Sequence, residues 1–211
     1  TSCMTTFLHW GEHASWLAPY LCHVDVGLHF NLTEGPGRIS LGKLLLASHL
    51  RLIRQKDIEQ QFLQQLTDFE DALGCLPSHI DGHQHVHHFP VVRDAILNVY
   101  QQQRLDSAQI YFRSVANLRA VPKGCGFKAF VIKHSGAIKF ERLLQAYGLP
   151  HNQVFSGVYD FKNSHRYSEY FSSFLDAVGA EEAIIMCHPS LPNDSDDLAR
   201  VRSAEFSYLI D

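Results

Sequence analysis

Two spacings of apolar residues alternate along the 211-residue chain. One repeats every second residue and marks strands; the other repeats every third or fourth and marks helices. The clearest helix covers 57–73. Ile58, Phe62, Leu66, Phe69 and Leu73 share its face, Asp57 and Gln60 form a capping-box-like pair, and Gly74 stands at the expected C-cap. Pro90 opens a second helix, with Val92, Ala95, Ile96, Val99 and Tyr100 as its buried stripe. The spacing also predicts a short helix over 9–20, which Pro19 helps to end, and another over 137–147. A further helix starts at Asn163 or Ser164 and carries Tyr167, Tyr170, Phe171, Phe174 and Val178. The last, a charged amphipathic one, covers 196–209.

The strands fall between these helices. At 23–30, Val24, Val26, Leu28 and Phe30 point one way and His23, Asp25, Gly27 and His29 the other, before a Gly- and Pro-containing loop over 31–37. Short strands are expected at 78–81, at 109–113 ending on Arg113, and at 155–161. The continuous apolar run 183–187 reads as a strand buried on both faces, delivering His188 and Pro189. The alternation of strand and helix, without a linker or repeat, predicts one α/β domain over 1–211 with a (β/α) barrel-like architecture. His29, His83, Arg113 and His188 then stand at strand carboxyl ends, where such barrels carry their active sites.

Composition narrows the function classes. A formal net charge of −4 argues against a nucleic-acid partner. Five scattered cysteines without a CxxC pair argue against a disulfide framework or a thiolate zinc site and favour a reducing, cytoplasmic setting. No stretch reaches the roughly 18 apolar residues of a membrane span. The start, Thr1-Ser2-Cys3-Met4, reads like the interior of a domain, so upstream residues are expected.

Histidine is the outlier, with 14 in the chain. Five of them, with Asp81, fall within the ten residues from His79 to His88. An extended chain would put His79, Asp81, His83, His85 and His87 on one face; a helix after Gly82 would pair His83 with His87. Both geometries gather imidazoles, the commonest ligands for zinc-like ions. The competing reading is a solvated histidine-rich turn. For His29 and His188 it is a hydrogen-bonded histidine at a strand end, and for Arg113 a structural ion pair as readily as an anion or sugar clamp. Glu34, Asp81 and Asp160 are carboxylates that a hydrolase could use. The chain has neither a phosphate-binding glycine loop nor a GxSxG nucleophile elbow.

Three segments, GLHFNLTEG (27–35), HIDGHQHVHHFP (79–90) and MCHP (186–189), resemble in order the signature segments of the YdjC/ChbG-type carbohydrate deacetylases. The opening TSCM is similar to the family's segment after its first strand and helix. The resemblance implies a fold related to other polysaccharide deacetylases. It also implies hydrolysis of N-acetyl groups from an amino-sugar substrate with one divalent metal ion: Mg, Zn, Mn or Co. It places metal ligands at His29 and His83, a catalytic proton donor or oxyanion-holding group at His188, and a substrate-binding or supporting role at Arg113. His85 and His87 become supporting or substrate-contacting residues. The family's first strand ends in an Asp-Asp-Phe-Gly motif that supplies the third ligand and general base. The resemblance puts that motif upstream of Thr1, so the domain is expected to be N-terminally incomplete. The loop over 37–40 is also expected to be shorter than in the family, and a homodimer is expected. The alternatives are another metal-dependent hydrolase, such as a phosphoesterase, and a non-catalytic sugar- or metal-binding protein.

Overall fold

The computed structural model describes residues 1–103, 105, 110–161, 163–192 and 198–211. The chain divides into two compact units, one of residues 1–113 and 135–151, the other of 114–134 and 152–211.

The first unit is built on a parallel four-stranded sheet in sequence order: β1 (Ser2–Cys3), β2 (Gly27–Phe30), β3 (His79–Gly82) and β4 (Tyr111–Phe112). Register sets His29 beside Asp81 and Phe30 beside Gly82, which brings the polar ends of β2 and β3 level. The helices of this unit are α1 (Trp10–Leu17), α2 (Leu41–His49), α3 (Gln55–Leu73), α4 (Val92–Gln102) and α6 (Ile138–Ala146). The expected stripes of α3 and α4 are buried and meet Leu28, Phe30, Ile80 and Phe112 of the sheet in one core. Gly74 ends α3 with φ 71°, the left-handed cap that glycine adopts without a Cβ penalty. Asp57 makes no cap. It lies in the first turn and pairs with Arg54 at 2.9 Å, and α3 begins earlier than its spacing predicted.

The second unit holds α5 (Gly126–Ile132), α7 (Tyr167–Val178) and α8 (Ala199–Ile210) around the parallel pair β5 (Val154–Ser156) and β6 (Ala183–Ile185). Tyr159, Tyr167, Phe174 and Val201 form its small core.

The structure corrects several expectations. The strand expected over 23–30 is ordered as β only from Gly27, and Val24 is exposed. The strand expected over 155–161 stops at Ser156, because Gly157 turns with φ 98° against the Met186 backbone. The run 183–187 is half-buried rather than buried on both faces, since β6 pairs only with β5 in a two-stranded sheet. α2 and α5 lacked a signal strong enough to predict them. Gln109 and Asp196, ends of a predicted strand and helix, lie outside the described residues. The α/β class with parallel strands stands. No helix among the described residues is long and apolar enough to cross a membrane.

Candidate active site

The site grows from the carboxyl ends of β2 and β3. His29 points its Nδ1 at Asp81 Oδ1 across the strand pair, at 2.6 Å. The other carboxylate oxygen of Asp81 receives the Arg113 Nη1 at 2.6 Å and the Ser2 hydroxyl at 3.2 Å. Arg113 follows β4, and its Nη2 donates to the Gly82 carbonyl at 2.6 Å. Asp81 and Arg113 are both buried. Burial alone would push the Asp81 carboxyl up. The Arg113 guanidinium and the His29 ring beside it override that and hold it well below the usual carboxylate range.

His83 follows β3 directly. The turn 83–88 is neither extended nor α-helical: Gln84 and His85 both sit in the left-handed region, with φ 50° and 61°. Two consecutive non-glycine residues there cost about 1–3 kcal/mol each, a strain that persists only where the surroundings over-determine it. The consequence is a sorting of the histidines. His83 stays at the site with its ring edge-on to His29, centroids 5.5 Å apart. His85, His87 and His88 turn inward and are buried. The His87 Nε2 donates to the Arg113 carbonyl at 2.9 Å, and the His88 Nε2 bonds the Ser135 hydroxyl at 2.8 Å. Burial keeps all three rings neutral, bringing His87 down to about 3. Gly82 admits this turn, since a Cβ there would lie 2.8 Å from the His87 Nδ1 and 2.9 Å from its backbone nitrogen.

On the open side, Glu34 Oε2 lies 2.8 Å from His83 Nε2, and the Glu34 carboxylate is half exposed. Burial and the neighbouring His29 lower the His83 pKa, against the pull of Glu34. Asn31 shapes the loop that carries Glu34. Its Oδ1 accepts from the backbone amides of Thr33 and Glu34, both at 3.0 Å, and its Nδ2 donates to the Glu34 carbonyl. Gln65 of α3 in turn clamps both backbone groups of Asn31, accepting from N–H at 3.0 Å and donating to C=O at 2.9 Å. Sequence reading missed Asn31 and Gln65. Asn at the head of a Gly/Pro loop is a turn signal, but a buried glutamine on the core face of a helix shows its partner only in three dimensions.

Of the expected site residues, His29, His83 and Arg113 converge in the first unit. Both Nη atoms of Arg113 are engaged, one by Asp81 and the other by the Gly82 carbonyl. His188 lies in the second unit, after β6. There its backbone N–H is held by the carboxylate of Glu205, which also receives the Tyr159 hydroxyl. Burial and that carboxylate together raise the Tyr159 pKa, so the phenol stays protonated.

His29 and His83 fit two positions around a divalent cation. They are adjacent imidazoles, and a buried carboxylate backs one of them, the common outer-shell arrangement of metal-ligating histidine. Among the described residues, no group of three or more His, Cys, Asp or Glu side chains is placed to hold a metal ion. Glu34 occupies the His83 Nε2, so ligation through that nitrogen requires the half-exposed carboxylate to swing aside.

A family model described as YdjC-like protein matches residues 1–211. The chain is 33% identical over 104 residues to a chitooligosaccharide deacetylase of Proteus mirabilis, covering 44% of this chain and 41% of that protein. It is 27% identical over 188 residues to a carbohydrate deacetylase of Geobacillus stearothermophilus, covering 85% of this chain and 63% of that one. The chain thus spans less than two thirds of either relative. A crystal structure from Enterococcus faecalis V583, described as that of a putative cellobiose-phosphate cleavage protein, shares the fold. Its TM-score is 0.67 at 18% identity, over 100% of this chain and 80% of that one.

Proposed function

Because this chain belongs to the YdjC-like protein family, we propose that it carries part of the active centre of a carbohydrate N-deacetylase. The substrate class is an acetylated amino-sugar carbohydrate or glycolipid, in keeping with the names of its relatives. The observation that carries the reading is the His29–His83 pair at the level ends of two parallel strands, with His29 backed by a buried carboxylate.

In this proposal His29 and His83 hold one divalent ion: Mg, Zn, Mn or Co. Such an ion, when bound, polarises an acetyl carbonyl and acidifies a water molecule. The remaining tasks fall to the chain. Asp81 holds His29, and Arg113 holds Asp81, so Arg113 acts on substrate through these two residues. Glu34 steadies the His83 ring and closes the polar rim of the site. From the family resemblance alone, His188 is the proposed proton donor to the leaving amine; within the second unit Glu205 anchors its backbone. The free thiols of all five cysteines support a cytoplasmic setting. Parallel pairing in both sheets supports the barrel-like architecture. A homodimer is proposed from the family resemblance alone.

Acetate release from N-acetylated chitooligosaccharides, with each of the four metals and after chelation, tests the function. The expected result is metal-dependent release that His83→Ala lowers on the order of 100-fold or more. That figure corresponds to losing several kcal/mol of charge stabilisation, at about 1.4 kcal/mol per tenfold. Unchanged turnover in that variant would remove His83 from the ligand set.

A further inference from the structure

Among the described residues, Asp81 and Ser2 lie within hydrogen-bond reach of His29 Nδ1, and the carboxylate is the closer of the two. Asp81, paired with the Arg113 guanidinium, presents Oδ1 at 2.6 Å as an acceptor. The Ser2 hydroxyl, 3.3 Å from the same nitrogen, directs its own proton to Asp81 Oδ2. Nδ1 therefore carries a proton, and in the neutral form of the ring the lone pair sits on Nε2. The orientation of the carboxylate is over-determined as well. Two donors, Arg113 Nη1 and Ser2 Oγ, converge on Oδ2, while among the described residues His29 alone bonds Oδ1. Arg113 is itself fixed, because its Nη2 spans to the Gly82 carbonyl on the strand that carries Asp81.

We infer that Asp81 is a positioning residue that sets the tautomer of His29, and that Arg113 sets the orientation of Asp81. The chain Arg113–Asp81–His29 thereby leaves the lone pair of the neutral His29 ring on Nε2, the nitrogen that does not face Asp81. The metal-ligand role of that lone pair rests on the function proposed above; the tautomer assignment does not.

The geometry makes an unusual demand on Asp81→Asn. The new carboxamide is close in shape to the carboxylate, but its two ends differ. Arg113, which can only donate, requires an oxygen at the Oδ2 position, and the Ser2 hydroxyl can donate to the same oxygen, so the NH2 must occupy the Oδ1 position and donate to His29 Nδ1. His29 is then forced into the opposite tautomer, with its proton on Nε2 and its lone pair turned inward.

Long-range nitrogen–proton NMR correlations of the imidazole ring distinguish the two tautomers directly in the metal-free chain. The expected wild-type pattern is Nδ1–H at His29, and Asp81→Asn inverts it. An Nε2–H pattern in the wild type overturns the inference, and needs no variant to fold. A well-folded variant that keeps Nδ1–H overturns it too. Zinc ion alone, titrated against a chromophoric chelator, provides the second arm. Losing an outer-shell partner of a ligating histidine weakens metal binding by about 10–100-fold. Tautomer inversion with that loss supports both readings. Inversion with unchanged zinc affinity supports the positioning role and removes His29 from the proposed ligand set.

Discussion

At the scale of single residues, the site is organised by a buried ion pair. Asp81 and Arg113 meet at 2.6 Å, and each has further partners: Asp81 with His29 and Ser2, and Arg113 with Gly82. Removing one partner of such a pair leaves an uncompensated buried charge and typically costs 3–5 kcal/mol; replacing both with apolar groups is far milder. Arg113→Met is therefore expected to lower stability by about 3–5 kcal/mol, read as a fall in the urea midpoint. Asp81→Leu combined with Arg113→Met should recover much of that loss. A small effect of Arg113→Met alone would mean that the guanidinium is not needed to hold Asp81. The sequence left the role of Arg113 open between ion pair and ligand clamp, because arginine serves both chemistries with the same fork. Only the partner chooses, and the partner comes from a strand 32 residues away.

At the scale of elements, α3 both fills the core and shapes the site. Its stripe was legible because five apolar residues repeat at helical spacing. Its polar contribution was not: Gln65 is on the buried side of α3, where its amide reads as a break in the pattern. There it satisfies both backbone groups of Asn31. Gln65→Leu would leave two buried backbone groups without partners, at about 1–3 kcal/mol each. The Thr33 and Glu34 amides, which depend on Asn31, should then exchange faster with deuterium, while those in the middle of α4 stay protected. Unaltered exchange in the loop would show that Asn31 organises it without help from the helix. The histidine turn shows the same limit from the other side. Period-two and period-four readings of 79–88 each predicted a shared face, but consecutive left-handed residues at Gln84 and His85 obey neither period.

At the scale of the whole molecule, buried histidine links stability to pH. In the unfolded chain His87 and His88 titrate near the ordinary value of about 6.5. In the fold, burial holds His88 well below that value and His87 at about 3. Between these limits the unfolded chain binds more protons, so stability rises with pH and is lost as pH falls from about 6.5 towards 3. Each ring contributes a slope of at most about 1.4 kcal/mol per pH unit. Urea denaturation at pH 7, 6, 5 and 4 is expected to show this decline, and His87→Gln should flatten it by up to one ring's share. A midpoint that did not move between pH 7 and 5 would contradict neutral burial of these histidines.

Local pattern alone determined the alternation of strands and helices, the α/β class, the core stripes of α3 and α4, and the gathering of histidines at strand ends. These depend on periodicities that a neighbouring element does not alter. Tertiary structure decided which histidine faces the site, which is a matter of two backbone torsions in the turn after β3. It also decided that Asp81 belongs to His29 and Arg113, and that Glu34 belongs to His83. Those pairings rest on strand register and on loop closure across tens of residues. A pattern along the chain carries no information about the neighbour on the next strand, and at this site the neighbour is what gives each side chain its task.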